Sequence, residues 1–312
     1  MKQELSMYLH EDKEKFRDLI IQISDETNRI TTVIEKDYYV TLILRFLSKQ
    51  LDNCVFKGGT SLSKGFNAIN RFSEDIDITF DEHIGESRRK KLKNKVLKGI
   101  SEELNMPILN WNETQSDRDY NAYFFAYDSV FEIEDEKMMS TVKLETALGS
   151  YAFPTVKITI GNYIGDYLIK KNHLDLAKEF SLEPFEMKLQ ALERTYIDKI
   201  FALCDYYMQN RSKRCSRHLY DIYKLSPMVV LNTEFYILYE EIRLHRANMK
   251  ICPSAKDGVD VAEIIREFCD NNFYKKDYIL ITNYFVEDMV EYSNTINQMR
   301  KIADWIDSEE KC

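Results

Sequence analysis

The sequence predicts an α/β fold of the α+β kind: a mixed sheet flanked by helices, followed by a mainly helical C-terminal lobe. Three observations carry this. Between residues 53 and 80 a β-prone run (53–57) meets Gly58-Gly59, a helical run (61–69) follows at once, and DIDITF (75–80) then alternates polar and apolar. That alternation is the period of a strand with one buried face. Further β-prone runs fall at 122–127, 141–146 and 155–163. From Glu183 onward the apolar spacing is helical almost throughout, with weak breaks near 226–227, 253–258 and 271–272.

Two helices are predicted ahead of the sheet. Phe16, Leu19, Ile20 and Ile23 recur at helical spacing over 12–24, and Tyr38, Leu42, Leu44 and Leu47 offer a buried face over 34–51. Residues 88–100 (RRKKLKNKVLKGI) form a basic helix. A soft boundary between 165 and 185 divides the chain into a sheet-bearing part, 1–170, and a helical part, 171–312. No internal repeat or low-complexity segment is evident.

With 312 residues, 44% of them hydrophobic and 30% charged, and only 9 Gly and 5 Pro, the chain reads as globular and helix-rich. Its 43 basic and 52 acidic residues leave a net charge of −9. A polyanionic partner must therefore be met by a local basic patch. Two patches qualify: Arg88, Arg89, Lys90, Lys91, Lys93, Lys95 and Lys98, and then Arg211, Lys213, Arg214 and Arg217. A solvated helix face explains the first as well as an RNA contact does. The 20 tyrosines show no repeating stacking platform. The six cysteines (54, 204, 215, 252, 269, 312) form no CxxC pair, which argues against a zinc cluster. No apolar run approaches the ~18 residues of a membrane span, and the N-terminus lacks a signal-peptide core. The expected location is the cytoplasm, with free thiols.

The chemistry concentrates in KGGTSLSKGFNAINRFSEDID (57–77). Asp75 and Asp77, two apart on a strand, share a face. Two carboxylates so placed repel unless a cation lies between them, and hard oxygen donors suit Mg²⁺ or Mn²⁺. A solvated strand face would carry the same pattern. Gly58 and Gly59, between strand and helix, let a ligand approach the backbone. The helix start that follows offers N–H groups to a phosphate, with Ser61 and Lys64 over the same turn. A plain tight turn would also use two glycines.

Glycines and aspartates lie sixteen residues apart, Gly59 to Asp75, on adjacent elements. The order GGTSLSK then SEDID resembles the nucleotidyltransferase superfamily. More narrowly, KGGTSLSK with RFSEDIDI resembles the AbiEii/AbiGii toxin family of type IV toxin–antitoxin systems. Glu35-Lys36-Asp37-Tyr38-Tyr39, Glu193-Arg194-Thr195-Tyr196-Ile197-Asp198-Lys199-Ile200 and Arg217-His218-Leu219-Tyr220-Asp221-Ile222 resemble its other motifs, so the likeness spans roughly 33–225.

The resemblance implies a nucleotidyltransferase-like sheet domain and a site in named positions. Gly58, Gly59, Ser61 and Lys64 would hold the nucleotide phosphates, and Asp75 and Asp77 the metal. A third carboxylate on a later strand would be Glu145, which shares a strand face with Lys143; Asp128 and Glu132 compete. Lys199 would balance triphosphate charge, and Asp221 would orient Lys199 or the nucleotide. Ser73 would be a regulatory phosphorylation site, although a turn serine needs no such role.

The expected reaction is metal-dependent transfer of NMP from NTP to an RNA acceptor, the tRNA 3′ end foremost, opposed by a cognate winged-helix antitoxin. Two alternatives stand beside it: a protein or small-molecule acceptor, and a non-catalytic nucleotide- or antitoxin-binding module. From residue pattern alone, Lys199 also reads as a surface lysine, and Asp221 as an exposed helix partner of Arg217 and Lys224. The five scattered histidines, His218 included, read as structural.

Overall fold

The computed structural model describes residues 8–71, 73, 75–131 and 140–310. Glu132, a rival for the third carboxylate, and Cys312 lie outside them. The fold is mixed α/β, with a six-stranded mixed sheet and a helical C-terminal region. The chain divides into two compact units: residues 1–60, 74–151 and 155–189, and residues 61–73, 152–154 and 190–312.

The first unit begins with α1 (Lys13–Thr27) and α2 (Thr31–Gln50). Asp12 caps α1 by accepting from the Lys15 N–H at 3.1 Å. Phe16, Ile20 and Ile23 of α1 are buried, as are Tyr38, Leu42 and Leu47 of α2, as the helical spacing requires. The Glu35–Tyr39 stretch serves as a clamp. Buried Glu35 accepts from Ser129 Oγ at 2.6 Å and from the Val130 N–H at 2.8 Å. Asp37 accepts from the Tyr163 N–H at 2.9 Å.

The strands are β1 (Cys54–Lys57), β2 (Ile76–Phe80), β3 (Tyr120–Ala126), β4 (Thr141–Ala147), β5 (Thr155–Ile160) and β6 (Phe185–Gln190), in sheet order β3-β4-β2-β1-β6-β5. β1 and β2 are antiparallel, with Lys57 opposite Asp77. β2 and β4 are parallel, with Asp77 opposite Glu145. β3 and β4 are antiparallel, and β1 and β6 parallel. Ile76, Ile78, Val142 and Leu144 form the buried face of these central strands, and β4 alternates buried with half-buried side chains.

Three expectations change. α3 (Gly58–Lys64) opens on the glycines themselves and stops at Lys64, short of Ile69. It ends because Asn67 turns left-handed (φ 50°) while the Ala68 N–H reaches back to the Leu62 carbonyl at 2.9 Å. β6 lies in a region expected to be helical throughout. Its side chains alternate, with Met187 and Leu189 buried and Glu186 exposed, a strand period too short to register beside the long helices that follow. β5 stops at Ile160 because Asn162 caps α6 (Tyr163–Lys170) by accepting from the Gly165 N–H at 2.7 Å.

The basic helix forms as α4 (Glu86–Lys91) and α5 (Lys98–Glu103), joined by a π-helical turn over Leu92–Leu97. The first unit also holds α7 (Leu174–Glu179), which precedes β6. The second unit holds α8 (Leu192–Met208), α9 (Arg217–Leu225), α10 (Thr233–Ala247), α11 (Val261–Asp270), α12 (Lys275–Leu280) and α13 (Tyr292–Glu310). Its core includes Leu62, Tyr196, Phe201, Tyr239, Phe268 and Ile302. Among the described residues, no helix is long and apolar enough to cross a membrane. Cys54, Cys204, Cys215, Cys252 and Cys269 are buried and free.

Candidate functional site

β2 and β4 bring Asp77 and Glu145 together, and Asp75 reaches the same lysine that pairs with Glu145. Asp77 and Glu145 are paired in register and hydrogen-bonded to each other. Asp75, one residue ahead of the strand, reaches Lys143 Nζ at 3.7 Å. Lys143 also forms an ion pair with Glu145, and Tyr120 of β3 donates its hydroxyl to Glu145 at 2.6 Å. The period-two geometry of β4 places Lys143 and Glu145 on one face. The parallel register then sets that face beside the acids of β2.

The carboxylates differ in electrostatic state. Burial, with the hydrogen bond and charge of Glu145, pushes Asp77 up to about 7. Burial alone would also raise Glu145, but hydrogen bonds from Asp77, Lys143 and Tyr120 outweigh it and hold that carboxyl down at about 2. The hydrogen bond between them thus raises one acid and lowers the other. For Lys143, hydrogen bonding to Glu145 and the charge of Asp75 overcome the opposing effect of burial and raise the ammonium.

Gly58 lets Asp77 lie there. It has φ +81°, and a Cβ built on it would overlap Asp77 Oδ2 and stand 2.8 Å from Cγ. Any other residue would be strained by its backbone and would displace the acid. Gly58, Gly59, Ser61 and Lys64 all lie on α3; Ser61 is buried and the other three half-buried.

The donor set suits a hard divalent cation: three carboxylates on neighbouring strands, one held against a glycine. Among the described residues no group of three or more His, Cys, Asp or Glu side chains converges as ligands. The ammonium of Lys143 fills the role of counter-ion between Asp75 and Glu145. Asp128, another rival third carboxylate, is an exposed partner of Lys13.

Lys143→Gln should leave these acids without that cation. The pair is partly exposed, so the expected loss of stability is below about 1 kcal/mol. Millimolar Mg²⁺ or Mn²⁺ should then raise the melting temperature of Lys143→Gln more than that of the wild type. An equal or smaller rise would show that Lys143 does not occupy the cation's place.

A second constellation lies within the helical unit. Asp221, fully buried on α9, accepts from Lys199 Nζ at 2.7 Å. It also accepts from Arg71 Nε at 2.6 Å and Arg71 Nη2 at 2.8 Å, a bidentate fork. Burial alone would raise the Asp221 carboxyl, but Arg71 and then Lys199 overcome this and hold it far below the usual carboxylate range. Burial lowers the Lys199 ammonium against the pull of Asp221.

The exposed-helix reading of both residues is therefore wrong. Lys224 pairs instead with Asp288, and Lys199 is only 5% exposed. His218 stacks on Tyr206, and burial drives its imidazole well below its ordinary value. Sequence reasoning missed Arg71 although it stands inside RFSEDID. It missed the cation role of Lys143 and the hydroxyl of Tyr120 too, since only through-space contact reveals them.

A family model of the AbiEii nucleotidyl transferase toxins, type IV toxin–antitoxin system, matches residues 42–291. No curated protein sequence matches the chain. Among solved structures, the nucleotidyltransferase toxin MenT4 of Mycobacterium tuberculosis H37Rv is similar over 93% of this chain and 89% of its own, at 15% identity and a TM-score of 0.48. The family match runs through β1, α3, β2, β4 and the Lys199 and Asp221 helices. The chain belongs to the AbiEii family: it is a nucleotidyltransferase toxin of a type IV toxin–antitoxin system.

Proposed function

We propose that this toxin transfers NMP from an NTP to an RNA acceptor, the tRNA 3′ end foremost, in a metal-dependent reaction. The observation that carries the proposal is the in-register pair Asp77–Glu145 with Asp75 beside it, backed by Gly58. Nucleotidyl transfer needs a place where anionic phosphate and a departing pyrophosphate are neutralised together.

Asp75, Asp77 and Glu145 would hold Mg²⁺ or Mn²⁺, which supplies Lewis-acid neutralisation of phosphate charge when bound. Gly58, Gly59, Ser61 and Lys64 hold the nucleotide phosphates. An acceptor hydroxyl oxygen bonds to the α-phosphorus, the α–β phosphoanhydride bond breaks, and pyrophosphate leaves with that bond's electron pair. The hydroxyl proton passes to a carboxylate of the Asp75–Asp77 pair. By the family resemblance Lys199 balances triphosphate charge, and Asp221, held ionised by Lys199 and Arg71, orients it. The opposing partner is an antitoxin of winged-helix type, and the setting is the cytoplasm. A phosphate on Ser73, two residues before Asp75, would add negative charge beside the carboxylates and weaken nucleotide binding.

The test offers purified toxin each α-labelled NTP in turn, with Mg²⁺ or Mn²⁺, and either total tRNA or a protein extract. Label is expected in tRNA, with pyrophosphate released in equal amount. Label in protein alone would overturn the RNA acceptor; no label in either would overturn the transfer.

A further inference from the structure

The two basic patches of the sequence have different fates. In the first, Arg88 pairs with Glu82, Arg89 with Asp119, Lys90 with Glu86 and Lys98 with Glu102, and Lys93 bonds to the Trp111 carbonyl. Four of its seven cations thus meet a carboxylate, while Lys91, Lys93 and Lys95 meet none among the described residues. In the second, Lys213, Arg214 and Arg217 are exposed, and their side chains meet no carboxylate among the described residues; the same holds for Lys275 and Lys276 at the start of α12. In a chain with nine excess acids, five unneutralised cations in one lobe form a local positive field.

One buried hub holds these cations together. Asp277 accepts from the Arg214 N–H at 2.7 Å, the Ser216 N–H at 3.1 Å and Ser216 Oγ at 2.7 Å. Ser216 Oγ also meets Thr282 Oγ1 at 2.7 Å. Two residues beyond Thr282 stand Tyr284, 82% exposed, and Phe285, 47% exposed. Their rings cross at 88° with centroids 5.2 Å apart.

The aromatic pair rests on a fixed base. The Glu287 N–H bonds to the Asn70 carbonyl at 2.9 Å, Val286 bridges Arg71, and Asp288 is held by Tyr220 and Lys224. Arg71 is the residue that forks onto Asp221. Between hub and rings lies Asn283, whose buried Oδ1 has no donor. Asn283 lines a cavity of about 530 Å³ whose charged lining is balanced, Lys275 and Arg300 standing with Asp270 and Glu291, and Arg300 pairing with Asp270.

We infer that the 211–217 loop and the 275–285 segment form a docking site for a single-stranded nucleic acid. The cations meet its phosphates and the exposed ring of Tyr284, braced by Phe285, stacks a base. Unstacked bases are what a flat exposed ring can take up, so a single strand fits and a duplex does not. The inference rests on the RNA acceptor proposed above and assigns the strand its seat.

The test measures binding without NTP, which separates it from the reaction. A fluorescein-labelled single-stranded RNA is titrated with the full-length toxin, with Tyr284→Ala/Phe285→Ala, and with Lys213→Ala/Arg214→Ala/Arg217→Ala. These residues are exposed, and thermal melts confirm that each variant is folded. The aromatic variant is expected to weaken binding about tenfold or more. The cation variant should reduce the slope of log affinity against log salt by about 2.

Unchanged affinity in both variants would overturn the site. So would RNA binding as in the wild type together with loss of antitoxin binding, which would make this face a protein interface. Tight RNA binding through these residues with no transfer would keep the site and reject the reaction. Transfer to RNA that neither variant affects would keep the reaction and reject the site.

Discussion

Asp221→Ala should cost about 3–5 kcal/mol of folding stability, the range for stripping one partner from a buried ion pair. The side chains of Arg71 and Lys199 are 6% and 7% exposed, and their shared counter-ion is wholly buried. Removing it takes from both cations the counter-ion they share, where water has little access. Urea unfolding of wild type and variant gives the difference directly; a loss below about 1 kcal/mol would show that these cations find other partners. Stability can be separated from chemistry by replacing all three residues with apolar ones of similar size. The Arg71→Met/Lys199→Met/Asp221→Leu variant should recover most of the stability, because a buried ionic cluster is weak evidence of net stabilisation. It should still fail in NMP transfer if Lys199 serves the triphosphate.

Asp77→Asn should have the reverse profile: little change in stability and near-complete loss of transfer. The amide keeps the volume and can donate to Glu145 as the protonated acid does. Burial and the neighbouring Glu145 raise the Asp77 carboxyl, so an uncharged amide suits the same surroundings. Losing a carboxylate that would hold the cation should cost about 4 kcal/mol in the transfer step, or roughly 10³-fold in rate. Labelled-NTP assays and growth of cells expressing the variant read the effect, with unfolding curves confirming the fold. Transfer within tenfold of the wild type would remove Asp77 from the chemistry.

Much of this was legible because the decisive signals are local. Gly58-Gly59 and the alternation of residues 75–80 mark a strand–helix–strand passage without any tertiary knowledge. The helical spacings of α1 and α2 match their buried faces. β6 was hidden: six residues with alternating charge look like the edge of the long helix that follows, and only pairing with β1 distinguishes them. The third carboxylate was legible only to a choice of three. What sets Glu145 apart is its register with Asp77 on a neighbouring strand 68 residues away, and register is a property of the sheet. Arg71 was invisible for the same reason. Its partner lies 150 positions later, and no spacing rule connects them. The opposite error befell Asp221, where the nearby Arg217 and Lys224 suggested a surface ion pair while the fold placed Lys224 on Asp288.

Gly58 contributes no side-chain atom to the proposed chemistry, yet the place of Asp77 depends on its having none. The mutational target for silencing this toxin is thus wider than its set of reactive groups. A lineage could disarm the protein by a single change at a position where nothing acidic, basic or nucleophilic is altered. Such a gene would retain every carboxylate and every cation of the proposed site and still encode a protein whose acid is displaced.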